Sequence, residues 1–194
     1  MNRVLSGALA ALLGILLVAC DQTPEREPLP INTRLGGAVT LTNQDGEAFN
    51  TASLEGKVVF LFFGYTSCPD ICPATLARVT QAWKKLDQAG VGDQVQGVFI
   101  TFDPDNDTPE HMKKYLKFFH PRMIGLTGSL EDISAAAEKY GVVFIRDEDH
   151  EDDGRVLYSH SDFIYLLDTA GRVRKLFPSN GDIDEMVSDA GSLL

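Results

Sequence analysis

Residues 57–73 read KVVFLFFGYTSCPDICP. From Lys57 to Gly64 the stretch is a continuous apolar run, rich in β-branched and aromatic side chains. Such a run suits a central strand covered on both faces. A helical pattern then runs from about Pro73 to Gly90, with Leu76, Val79, Trp83 and Leu86 on one face and Gly90 placed as a C-cap. A buried strand that feeds a helix is the repeating unit of an α/β sheet. Ligands of such sheets bind just past the carboxyl ends of the strands. Cys68 and Cys72 lie at that point.

Outward from this unit, the pattern continues in both directions. Val39 to Thr42 and Glu47 to Phe49, joined by a turn at Asp45-Gly46, read as a hairpin. Val95 to Phe102 is a second buried strand. Thr108 caps a helix with Pro109 in its first position, running to about Phe119. Met123 to Leu126 is a short strand, and Ser129 caps a helix over Leu130 to Tyr140 that Gly141 ends. Short strands are expected at Val142 to Ile145 and Val156 to Ser159. Phe163 to Leu167 and Arg172 to Phe177 pair across the turn at Asp168 to Gly171, and residues 182–190 form a last helix. Alternating strands and helices imply a largely parallel centre with right-handed crossovers. The fold class is α/β: a thioredoxin-like fold with an N-terminal β-hairpin and an inserted helix, spanning residues 37–194.

The chain has 194 residues, 44% hydrophobic and 23% charged, with a net charge of −11. That is the profile of one globular domain, large enough to bury a core without a staple. An acidic chain repels phosphate backbones, so nucleic acid is excluded as a partner. Residues 1–19 have the layout of a signal peptide: Arg3, then an apolar run from Leu9 to Val18 that is shorter than a membrane span. Leu17-Val18-Ala19-Cys20 resembles a bacterial lipobox, cleaved before Cys20 and lipidated on it. Asp21 resembles a signal for retention at the inner membrane. Residues 20–36, with Pro24, Pro28 and Pro30, read as a tether. At ~3.1 Å per residue a polyproline segment of that length reaches about 50 Å. The domain would then sit at the periplasmic face of the inner membrane, where disulfides persist.

The two remaining cysteines are four residues apart, flanked by prolines, at a helix N-terminus. The partial positive charge there favours thiolate. Thiolate serves a metal ligand and a redox nucleophile equally. A disulfide across so short a loop stabilises little by chain entropy, so a purely structural bridge is a poor explanation. The spacing is CxxxC, not the CxxC of dithiol oxidoreductases. Ser159-His160-Ser161-Asp162, ahead of a late strand, offers a histidine where thioredoxin-like oxidoreductases usually place a cis-proline. Two thiolates and an imidazole make a set that accommodates copper, and soft thiolates also select zinc or iron–sulfur.

Three segments in order resemble the Sco/SenC family of copper-binding, cytochrome-oxidase assembly proteins. They are residues 64–73 (GYTSCPDICP), residues 101–110 (TFDPDNDTPE), and Tyr158-Ser159-His160-Ser161 followed by Tyr165-Leu166-Leu167-Asp168. The resemblance covers roughly residues 35–190. It implies copper as the metal and Cys68, Cys72 and His160 as its ligands. It further implies a chaperone, not an enzyme, that delivers copper to the binuclear copper site of cytochrome c oxidase. The implied partners are the copper ion, the oxidase subunit carrying that site, a second periplasmic copper chaperone and the membrane through the lipid anchor. A thiol–disulfide reductase acting on the oxidase's copper-site cysteines is the alternative, and a peroxidase a more distant third.

The family often has Asp directly before the histidine, where this chain has Ser159. Asp162 is then a candidate partner for the second imidazole nitrogen, or a solvated turn residue. Asp103 to Thr108 reads as scaffold or partner surface, since Asp-Pro turns and a Thr cap explain it. The acidic run Asp147 to Asp153 has the look of a hard-cation or secondary copper site, but clustered like charges read first as a solvated loop between strands. His111, His120, Met112 and Met123 read as surface or packing residues.

Overall fold

The computed structural model describes residues 27–152 and 155–194, with the side chains of 148–152 and 155 left aside. Cys20 and the leader lie outside the described residues. The apolar run forms strand β3 (Val58–Gly64), in which every residue is buried. It lies inside a seven-stranded sheet of order β2-β1-β5-β4-β3-β8-β9. Here β1 is Thr40–Asn43, β2 Ala48–Asn50, β4 Val95–Thr101, β5 Ile124–Thr127, β8 Phe163–Leu167 and β9 Val173–Pro178. The β3-β4-β5 centre is parallel, with Val58 opposite Val95 and Gly64 opposite Thr101. The hairpin β1–β2 joins antiparallel to β5, and β8 joins antiparallel to β3. The expected α/β architecture is present.

Helices α1 (Ile71–Gln88), α2 (Pro109–Leu116), α3 (Leu130–Tyr140) and α4 (Ile183–Gly191) cover the sheet. Alternation along β3 decides which face each meets. Phe60, Phe62 and Gly64 look toward α1, because a Cβ built on Gly64 would stand 2.9 Å from Cys72 Sγ of that helix. Phe63 looks the other way, against Tyr140 of α3 at 5.7 Å between ring centroids. On the α1 side, α4 packs against α1.

Helix caps follow the sequence. Thr108 accepts from the His111 N–H at 3.3 Å, Ser129 from Asp132 N–H at 3.1 Å, and Gly141 closes α3 at φ 65°. Thr108→Ala is expected to cost about 1 kcal/mol, read as a lower urea midpoint. No shift at all would mean that Pro109 fixes the start of α2 unaided.

Four boundaries differ from expectation. Helix α1 begins at Ile71, so Cys72 is in its first turn and Cys68 in the loop before it. The two sulfurs are therefore not stacked along one helix. Helix α2 stops at Leu116, and the chain tightens into short turns as Phe118 and Phe119 bond back three residues.

The largest difference concerns the acidic run, of which residues 147–152 lie in a strand. Strands β6 (Phe144–Asp152) and β7 (Arg155–His160) form a two-stranded ribbon of their own, outside the main sheet. Dense like charges argue for a solvated segment, and a ribbon unpaired with the main sheet can meet that demand while remaining a strand.

Residues 29–36, read as part of a tether, are docked. Asn32 N–H donates to Val173 O at 2.8 Å, Gly36 N–H to Lys139 O at 2.7 Å, and Arg174 Nε to Leu29 O at 3.0 Å. The half-buried Leu29 and Leu35 pack on the core, which outweighs the proline-rich composition around them.

Candidate metal centre

The carboxyl end of β3 delivers Tyr65 to Asp70 as a loop, and α1 starts where the loop ends. This places Cys72 fully buried and Cys68 at 8% exposure, both as free thiols. His160 arrives from the other side, as the last residue of β7. Its Nε2 stands 4.0 Å from Cys72 Sγ. Its Nδ1 lies 2.8 Å from the Ser161 carbonyl oxygen. A carbonyl can only accept, so Nδ1 carries a proton; when the ring is neutral, Nε2 is left with its lone pair on the side of Cys72.

Asp162 therefore does not hold the imidazole. Its carboxylate accepts from Ser179 Oγ at 2.7 Å, and the backbone of Ser161 takes the role considered for it.

The two thiols share their protons unequally. Cys68 is lowered, first by the hydrogen bond from the Cys72 thiol. Burial opposes this, while His160 and the backbone N–H groups of Cys72 and Asp70 add to it. Cys72 is raised because its proton is held on Cys68, because it is buried, and because the charges of Cys68 and Asp107 disfavour a second anion. Burial pulls the His160 ring down, but Cys68, the Ser161 carbonyl and the Asp162 charge together hold it above the ordinary value. The shifts favour a single anion on the pair, carried by Cys68.

Metal–sulfur bonds of about 2.3 Å and metal–nitrogen bonds of about 2.0 Å, meeting at an open angle, span roughly 3.5–4 Å between donors. The Cys72–His160 separation fits that span. The set is gathered but not closed: among the described residues no three His, Cys, Asp or Glu side chains stand as a completed cluster.

The loop is held from below by Asp107. This fully buried carboxylate accepts from Thr66 N–H at 3.0 Å, from Thr101 Oγ1 at 2.5 Å and from the Thr66 hydroxyl. Burial raises it above the usual carboxylate range. His111 Nε2 meets the same Thr66 hydroxyl at 3.0 Å. The Asp103 to Thr108 segment is therefore scaffold for the thiol loop. His120 is buried and stacked on Trp83 at 3.8 Å, and Met112 and Met123 are core residues.

The aromatic wall around His160 was not singled out in the sequence. The rings of Tyr65 and Phe102 lie 6.1 and 5.0 Å from the imidazole. Burial pushes the Tyr65 phenol up to about 12. No periodicity marks these two residues, because they come from separate segments.

The sequence model of the SCO1/SenC family matches residues 29–194. A SCO2-like protein of Rickettsia conorii is 40% identical over 156 residues, covering 80% of this chain and 75% of that protein. The mitochondrial SCO1 homolog 1 of Arabidopsis thaliana is 38% identical over 152 residues, 78% of this chain and 45% of that protein. Among solved structures, Bradyrhizobium japonicum ScoI with copper bound superposes with a TM-score of 0.74 at 35% identity, covering 82% of this chain and 99% of that one. BsSco, described as a cytochrome c oxidase assembly protein with a disulfide switch, gives 0.69 at 27% identity, covering 86% of this chain and 98% of that one. The thioredoxin-like fold is shared with these structures, and the chain belongs to the SCO1/SenC family.

Proposed function

We propose that this protein is a copper carrier that binds the ion through Cys68, Cys72 and His160 and delivers it during cytochrome c oxidase assembly. The observation that carries the reading is His160 Nε2 standing 4.0 Å from the buried Cys72 Sγ, with Cys68 four residues earlier in the loop that leads to it. Soft sulfur donors hold Cu(I), and the imidazole accommodates either oxidation state. Bradyrhizobium ScoI and yeast Sco1 have both been solved with copper bound, which supports copper as the cargo. The acceptor in this reading is the oxidase subunit with the binuclear copper site. A lipid on Cys20 would hold the carrier at the periplasmic face of the inner membrane. Among the described residues, no helix is long and apolar enough to cross a membrane.

Titration of the reduced domain with copper tests the site. One ion per chain is expected, and His160→Ala is expected to weaken Cu(I) binding at least about tenfold, in line with loss of a ligand or its support. Unaltered affinity in that variant would remove His160 from the site.

The lowered Cys68 supports a second reading, thiol–disulfide reduction. The Cys68 thiolate would attack one sulfur of a target disulfide and form a mixed disulfide. Cys72 would then lose its proton and attack Cys68, expelling the second target thiolate. Two electrons pass to the target, and the carrier ends as the Cys68–Cys72 disulfide. Rapid turnover of a target disulfide by copper-free protein, with weak copper affinity, would favour this reading.

A further inference from the structure

The ribbon carries His160 yet pairs with no strand of the main sheet. It is joined to β8 through Ser161 and Asp162, and beyond that connection its place over the thiols depends on contacts of its inner face. Phe144 stacks on Phe102 at 5.0 Å, and the hydrogen bonds to the core come from Tyr158, two residues before His160. Phe144 lies opposite His160 across the ribbon, and strand alternation puts Phe144, Tyr158 and His160 on one face. The Tyr158 N–H donates to the Tyr65 hydroxyl at 3.3 Å, and its phenol donates to Asp103 Oδ1 at 3.2 Å. Its ring sits 5.1 Å from both the Tyr65 and the Phe102 ring.

Both catches are themselves fixed. Tyr65 is buried at the start of the thiol loop. Asp103 is buried too, its carboxylate taking the Asn106 amide at 2.9 and 3.1 Å. By contrast, Val143 and Ile145 on the outer side of the ribbon are 61% and 62% exposed. The ribbon is thus held from its inner face at the latitude of Tyr158.

We propose that Tyr158 is a positioning residue, a latch whose amide and phenol engage Tyr65 and Asp103 so that His160 is held at the thiol pair. The proposal rests on the copper reading for its purpose, though not for its geometry. A ribbon docked only part of the time lowers apparent affinity by the docked fraction: docking for a tenth of the time raises Kd about tenfold. The latch therefore sets how fully the third donor is available before any metal arrives.

Wild type, Tyr158→Phe, Tyr65→Phe, His160→Ala and the Tyr158→Phe/His160→Ala pair test this on the full chain, using Cu(I) in competition with a chelator. A second measurement follows hydrogen exchange of the ribbon amides in copper-free protein. Tyr158→Phe keeps the ring, so the thermal midpoint should stay near wild type. Exchange in β6 and β7 should rise about tenfold with β3 unchanged, and the copper Kd should rise about tenfold. Tyr65→Phe should raise exchange at the Tyr158 amide in particular. In the His160→Ala background, Tyr158→Phe should change Kd less than about twofold, since the latch acts through the imidazole. Unchanged ribbon exchange in Tyr158→Phe would overturn the latch. So would an undiminished loss of affinity in the His160→Ala background. Were wild type to bind no copper, the carrier reading would fall, and the exchange data alone would decide the latch.

Discussion

Cys72→Ser is expected to abolish copper binding while leaving the domain folded. Cys72 is fully buried in the first turn of α1. A serine fits the space, because its oxygen is smaller than the sulfur, which lies over Gly64. Its hydroxyl is a hard, neutral donor at physiological pH and a poor ligand for Cu(I). Two donors, Cys68 and His160, would remain where three converge. A loss of at least about a thousandfold in Cu(I) affinity is expected. Competition with a chelator of known affinity measures it. Near-wild-type affinity would show that the metal does not use this sulfur. The same variant cannot form the Cys68–Cys72 disulfide, so it also stops the disulfide chemistry at the resolving step.

Asp168→Ala is expected to remove about 3–5 kcal/mol of stability at neutral pH, as breaking one side of a buried ion pair does. Asp168 is 3% exposed at the turn between β8 and β9. Its carboxylate takes Arg172 Nε at 2.9 Å, Arg174 Nη1 at 3.0 Å, and the N–H groups of Ala170 and Arg172 at 3.1 and 3.0 Å. Burial works against the charge, but these donors outweigh it and hold the carboxyl below its ordinary range. The folded-state value is depressed, so the contribution is present above the unfolded-state value and disappears as pH falls through the folded one. Wild type and variant should therefore converge in acid. Urea denaturation across a pH series reads both effects. A difference below about 1 kcal/mol at pH 7 would show that the arginines find water as easily as the carboxylate.

The sequence exposed the parts of the fold that rest on local pattern. The KVVFLFFG run could only be a strand buried on both faces, and the caps at Thr108 and Ser129 lie where their residue types place them. The proline-flanked cysteines declared themselves by position, at the carboxyl end of that strand. What stayed hidden depends on contacts between distant segments. Acidic residues 147–153 carry the composition of a loop, and only pairing with Arg155 to His160 makes part of them a strand. The prolines around Leu29 suggest an extended tether, and only the surface beside Val173 shows where its leucines go. The Asp103 to Thr108 segment reads as scaffold from its sequence, but the bonds by which Asp107 reaches Thr66 and Tyr158 reaches Tyr65 span 41 and 93 residues of chain, distances over which no sequence period is informative. Asp162 was weighed for the imidazole because it is an acid two residues away. A backbone carbonyl, which every residue possesses, occupies that place.

The seam between residues 29–36 and β9 also fixes the direction in which the molecule can be held. Leu29, Asn32 and Gly36 meet Arg174, Val173 and Arg172, beside Leu167, which pairs with Val59 at the beginning of β3. The sulfurs follow the other end of that strand, seven residues on, or about 20 Å away at the rise of an extended chain. Any upstream leash therefore grips one pole of the domain while the thiols occupy the opposite one. Drawn taut, it would present the metal outward, and only a slack leash would let the domain somersault to meet an acceptor lying close to the bilayer.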